Sequence, residues 1–121
     1  MNGAVFVIDG HDIDLHPDVQ SAEQSVEGYD IQALDFMGVD GTVYAASTKG
    51  QEWDAVTLRP TTSNRLEDLT RLLLSEADSR SLTLPPETPR EPEAIWAAVL
   101  AAQQHARTST RRRRWWRRHI Q

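Results

Sequence analysis

At 121 residues, with 39% hydrophobic and 26% charged residues, the chain can enclose one modest core and carry one appended element. No apolar run approaches the roughly 20 residues of a membrane span, and the absence of cysteine excludes a disulfide framework, a thiolate nucleophile and a Cys-based zinc site. The net charge of −5 hides a division: residues 1–106 hold six Lys/Arg and all 18 Asp/Glu, a balance of −12, whereas residues 107–121 hold seven Arg and no acid, a balance of +7. An acidic body and a cationic end attract each other, and each suits a different outside partner.

The opening MNGAVFVIDGHD has no basic segment before its apolar run and carries Asp9 two residues after Val7. A secretory leader is therefore not expected, and the cytoplasm is the expected compartment. The same stretch predicts a β-hairpin, with arms at 4–8 and 11–15 around an Asp9-Gly10 turn of type I′. The first arm is apolar on both faces, which suits a central strand. In the second, Ile13 and Leu15 alternate with Asp12 and Asp14, giving one buried and one acidic face.

HPDVQSAEQSVEG predicts a short helix with Pro17 in the first position, Val19, Ala22 and Val26 on one stripe, and Gly28 as its stop. Three apolar runs follow, cut at Asp40-Gly41 and Lys49-Gly50, and predict a three-stranded meander near 31–37, 42–47 and 52–59, with Pro60 ending the last strand. TSNRLEDLTRLLLSEA predicts a second helix, capped by Ser63 or Asn64, with Leu66, Leu69, Leu72, Leu73 and Ala77 as its apolar stripe. Four prolines within residues 85–92 mark a stiff linker. It divides an acidic domain over 1–84 from a C-terminal helix with an Arg/Trp-rich tail over 93–121. The fold class expected is α+β: a five-stranded, mostly antiparallel ββαβββα sheet with two helices on one face, plus the linked helix.

On one ideal helix from Ile95 onward, Ile95, Trp96, Val99, Leu100 and Ala106 share an apolar arc of about 140°, while Trp115 and Trp116 fall outside it. Either the helix breaks near Thr108-Ser109-Thr110, or the two indoles meet something other than the core of this helix. The tail Arg111, Arg112, Arg113, Arg114, Trp115, Trp116, Arg117, Arg118 has three readings. It folds back on its own acidic body or stays in solvent; it binds nucleic acid, with guanidinium on phosphate and indole on unpaired bases; or it lies on an anionic membrane surface.

Elsewhere no chemistry assembles. Asp9, Asp12 and Asp14 miss the spacing of a calcium loop, and strand alternation accounts for Asp12 and Asp14. His11 and His16 do not share a strand face, so no two-His metal site is expected. Trp53 reads best as a side chain closing the end of the core, with an exposed interface anchor as the second reading. No G-x-S-x-G elbow or glycine-rich phosphate loop occurs. These observations predict a protein without catalytic residues, metal or cofactor.

Residues 18–74 resemble small actinobacterial immunity-type proteins that accompany polymorphic toxins. The resemblance rests on the SAEQSVEGYDI stretch, with Val26-Glu27 closing a helix before Tyr29-Asp30-Ile31, on Val43-Tyr44-Ala45 ahead of the Gly50 turn, and on the LEDLTRLLL helix. It implies a non-enzymatic protein that neutralises or regulates a partner by contact. A basic toxin domain, such as a nuclease with a phosphate-binding cleft, would meet a dense acidic surface. The residues expected to supply it are Asp12, Asp14, Asp30, Asp35, Asp40, Glu52 and Asp54. The alternative is a nucleic-acid-associated adaptor acting through Arg111–Arg118.

Overall fold

The computed structural model describes residues 3–50 and 54–120, with Tyr29 and residues 109–120 described by their backbone alone. The chain forms two compact units, Met1–Leu69 and Thr70–Gln121. In order, the elements are β1 (Val5–Asp9), β2 (Asp12–His16), α1 (Val19–Gln24), a 3-10 helix (Gly28–Ala33), β3 (Asp35–Gly38), β4 (Thr42–Ser47), β5 (Thr57–Asn64), α2 (Leu66–Ser79) and α3 (Pro92–Ile120). The strands form one open antiparallel sheet in the order β2-β1-β3-β4-β5. The fold is α+β, as the element pattern implies.

β1 is an interior strand between β2 and β3, which explains why Val5, Phe6, Val7 and Ile8 are all buried. One face of the sheet carries Val5, Val7, Phe36 and Leu58, packed with Ala22 of α1 and with Val56. Val19, Val26, Ile31 and Leu34 complete that layer. The opposite face carries Phe6, Ile8, Ile13 and Met37, also buried.

Several local expectations give way to competing interactions. The hairpin register pairs Asp9 with Asp12, so the loop residues are Gly10 and His11. Gly10 alone of the two has positive φ, at 59°, the pattern of a type II′ rather than a type I′ turn. α1 starts two residues later than Pro17 suggests, because Asp18 is the N-cap: its Oδ1 accepts the Ser21 N–H at 2.7 Å. α1 ends at Gln24 rather than at Gly28, which instead opens the 3-10 helix, so β3 is confined to Asp35–Gly38.

Pro60 does not end the last strand; β5 runs through it to Asn64. β5 is an edge strand, and the Leu58 N–H is taken by Glu23 Oε2 at 2.7 Å instead of by a neighbouring strand. Two residues on, the ring nitrogen of Pro60 lies on the same side, where no ladder partner is required. A carboxylate and a proline thus blunt the outer edge of β5 against pairing with another chain.

The β3–β4 turn is fastened to the junction of β5 and α2. Gly41 O accepts the Arg65 N–H at 2.8 Å, and Asp40 O accepts from Asn64 Nδ2 at 3.0 Å. Asn64 Oδ1 accepts the Leu66 N–H at 3.1 Å, so it serves the start of α2 as well. The register between β4 and β5 shifts between Thr42 and Tyr44, and there Val43 O accepts from the Thr61 hydroxyl. Gly41 has φ 88°, and a Cβ on it would lie 2.6 Å from backbone atoms of Leu66.

In the second unit, Leu73, Ala77, Ile95, Trp96 and Val99 are buried. The apolar stripes differ from expectation at their ends. Leu66 and Leu100 are exposed, at 41% and 50%, while Thr70 and Glu76 are buried. α2 ends in a Schellman motif: Leu82 N–H reaches Ala77 O and Ser81 N–H reaches Asp78 O, with Ser81 at φ 57° in the left-handed position usually held by glycine. Arg80 then joins several groups. It donates to Glu76 Oε1 at 2.9 Å and to Gln103 Oε1 at 2.8 Å, and lies 5.4 Å from the Trp96 ring centroid. The proline-rich segment 85–92 lies within this unit and contains a turn in which Thr88 N–H and Oγ1 both donate to Pro85 O.

α3 is unbroken to Ile120. The expected alternative of a break at Thr108-Ser109-Thr110 does not occur, and Thr108 Oγ1 donates to Gln104 O within the helix, a bond that lets a threonine sit in a helix interior.

Two substitutions probe these joints. Gly41→Ala should cost about 3 kcal/mol, from left-handed strain together with the backbone clash; urea unfolding measures it, and a loss near zero would show that the turn is not held as described. Arg80→Met should cost about 2–3 kcal/mol, somewhat below the value for breaking a fully enclosed pair, because Glu76 is left buried without this partner. Adding Glu76→Met to it should restore most of that loss in the same assay.

Candidate functional site

The acidic residues expected to form one surface are placed on several. Asp12 and Asp14 are exposed on the edge strand β2, on the same sheet side as Val5 and Val7. Asp9, directly opposite Asp12, joins them, so three carboxylates line one end of the hairpin. Like charges directly opposite on an antiparallel pair destabilise it. The ion pairs Arg65–Asp68 and Arg80–Glu76 lie elsewhere in the chain.

Asp35 lies on the other face, opposite Ile8. Asp30 is exposed on the 3-10 helix. Asp54 stands apart from both, in a groove of about 430 Å³ lined by Glu23, Glu27, Val26 and Val56. Sequence reasoning missed Glu23 and Glu27 at this place. Roughly thirty residues separate them from Asp54, and only the passage of the chain into β5 beside α1 brings the three together. Glu52 and Trp53 lie outside the described residues. The tail residues Arg111–Arg118 belong to α3.

Asp40 has a structural task. Its Oδ1 accepts the Thr42 N–H at 3.0 Å. Hydrogen bonds from the Thr42 backbone and side chain hold its carboxyl below the ordinary aspartate range. It therefore fixes the turn before β4, and its charge is already partly committed within the protein.

His16 Nδ1 lies 3.3 Å from Ser21 Oγ, tying the end of β2 to α1. Among the described residues, no group of three or more His, Asp or Glu side chains is placed to hold a metal ion. Among them also, no helix is long and apolar enough to cross a membrane. What the first unit offers chemically is charge: residues 1–69 carry 13 Asp/Glu against three Lys/Arg, a balance of −10. Comparison with protein-family models, with curated proteins and with solved structures finds no match.

Replacing Asp40 by Ala should cost about 1 kcal/mol at neutral pH through loss of the turn hydrogen bonds. Because the carboxyl is depressed in the folded state, its contribution is full above the ordinary aspartate range and disappears as pH falls through the lowered value. Thermal unfolding should therefore show the wild type losing its advantage over Asp40→Ala below about pH 4; a gap that persists unchanged to pH 2 would contradict this account.

Proposed function

We propose that this chain is a cytoplasmic, non-enzymatic binding protein whose first unit grips a basic protein partner, in the manner of an immunity protein neutralising a toxin domain. The observation that carries the reading is the Asp9, Asp12, Asp14 trio. Three exposed carboxylates stand together at the turn end of the β1–β2 hairpin, Asp12 and Asp14 on the edge strand β2 and Asp9 at the end of β1, at a cost in local repulsion, on a unit with a charge balance of −10. A cationic partner removes that repulsion on binding, and a field of one sign speeds its approach. Asp30, Asp35 and Asp54 lie outside the trio and act through the general field rather than as members of one patch. Asp40 serves the turn.

The shape of the first unit suits such a role. The sheet is closed on one side by α1 and its neighbours, and the blunted edge of β5 discourages indiscriminate strand pairing. The remaining edge, β2, is the one that carries the acids. Contact at β2 therefore presents both charge and strand to a partner.

Full-length protein carrying Asp9→Asn, Asp12→Asn and Asp14→Asn, compared with wild type, tests the reading by affinity capture from the native host at about 150 mM salt. The expected result is one cationic protein retained by wild type, with association slowed at least about tenfold for the triple variant. If the captured protein is a nuclease, wild type should block its hydrolysis of nucleic acid. Capture that is identical for both forms, or the absence of any basic partner, would overturn the reading.

A further inference from the structure

We infer that the C-terminal half of α3 is a phosphate-binding helix for nucleic acid, with Arg107, Arg111, Arg114 and Arg118 as its contact stripe. The site lies in the other unit and does not depend on the acidic surface of the first. The inference rests on α3 being continuous from Pro92 to Ile120. Only then do positions separated by four, three and four residues fall on one line. At 100° per residue, positions 107, 111, 114 and 118 lie within an arc of about 60°, and at 1.5 Å per residue they extend along about 16 Å of helix. That length spans roughly five base-pair steps of a duplex.

Nothing in the segment opposes a polyanion. Residues 107–121 contain no acid. Residues 104–108, where the stripe begins, are exposed. The second unit as a whole has ten Arg and five Asp/Glu, a balance of +5, opposite in sign to the first. Arginine is suited to the task because its planar fork meets two phosphate oxygens at once.

The same backbone geometry distinguishes this ligand from an anionic membrane. A helix lying in a bilayer interface needs a contiguous apolar face. Opposite the stripe are the positions of Trp115, Trp116 and Ile120, but Arg112 and His119 occupy the middle of that arc, at about 260° and 240° on the scale that puts Ile95 at zero. Trp115 is about 40° from the edge of the stripe, the position from which an indole flanking a phosphate track can stack on a base in a single strand. Contacts made through phosphate are independent of base sequence and strongly salt-dependent.

Fluorescence anisotropy of full-length protein with a labelled 20-base-pair duplex and with a 20-nucleotide single strand, between 50 and 200 mM salt, tests the site. Vesicles of mixed phosphatidylcholine and phosphatidylserine form the third arm. The expected result is binding to nucleic acid whose logarithmic salt slope on duplex is about −3.6, for four phosphates neutralised. Arg111→Gln with Arg118→Gln, both on the stripe, should weaken binding at least about tenfold and flatten the slope by about two. Arg112→Gln with Arg113→Gln removes the same charge off the stripe and should weaken binding less than about threefold. Binding to either duplex or single strand with that difference supports the site. No binding at 50 mM salt, equal losses from the two pairs, or tighter binding to the vesicles would each overturn it.

Discussion

The structure of the first unit hangs on β1. Its four consecutive apolar residues are buried, and it is bonded on both sides, to β2 and to β3. A strand apolar on both faces cannot specify its own register, since a slip by one residue exchanges one apolar set for another. The register comes from its neighbours. The II′ turn at Gly10 sets β2 against β1 so that Asp12 and Asp14 stay exposed while Ile13 is buried. β3 adds a second constraint, because its alignment places Asp35 opposite Ile8 at the strand end and lets Phe36 and Met37 enter the two faces. A hairpin turn and three aspartates thus settle what four hydrophobic residues leave open.

That solution also explains why acids gather where they do. On β2 the carboxylates do three things at once: they mark the solvent-facing positions, keep a short edge strand from pairing with another sheet, and build the repulsive trio with Asp9. The opposite edge is handled differently, by Glu23 on the Leu58 N–H and by the missing N–H of Pro60. One edge is closed by hydrogen bonding and the other is guarded by charge. A charged edge remains accessible to a partner of the opposite sign, whereas a satisfied one does not.

Much of the fold was legible in the sequence because it depends on period and punctuation. The aspartate-glycine turn and alternation gave the hairpin, apolar runs cut at turn residues gave the meander, the 3.6-residue stripe gave the helices, and Asn64 and Gly41 act at boundaries where capping and turn chemistry place them. What could not be read depends on tertiary surroundings. Pro60 terminates a strand only if its nitrogen faces a ladder partner, and strand order alone reveals that β5 is an edge. Leu66 looks like the first residue of the α2 stripe, yet its backbone is held against Gly41 and its side chain is exposed; Glu76 looks like a surface acid, yet it is buried with Arg80. The seven proposed acidic positions came from composition, which carries no information about faces. Of the six that are described, the structure gathers Asp12 and Asp14, adds Asp9 to them, and sets Asp54 beside Glu23 and Glu27 from a distant part of the chain.

The C-terminal half of α3 raises a different energetic question. Arginines four apart, such as 107 with 111 and 114 with 118, repel on a helix surface by about 0.2–0.5 kcal/mol per pair. Among the α3 residues whose side chains are described, the buried ones, Pro92, Ile95, Trp96 and Val99, lie in its first turns, and Gln104 to Thr108 are exposed. The helix end is the favourable place for cations, since the carbonyl ends of the peptide dipoles accumulate there, but this offsets only part of the repulsion. A polyanion along the stripe would remove the repulsion and stabilise the helical state in proportion to its affinity for it. The acidic trio on β1 and β2 and the arginine positions on α3 are thus alike with opposite sign: like charges held near one another by the fold, at a cost that a complementary partner would remove.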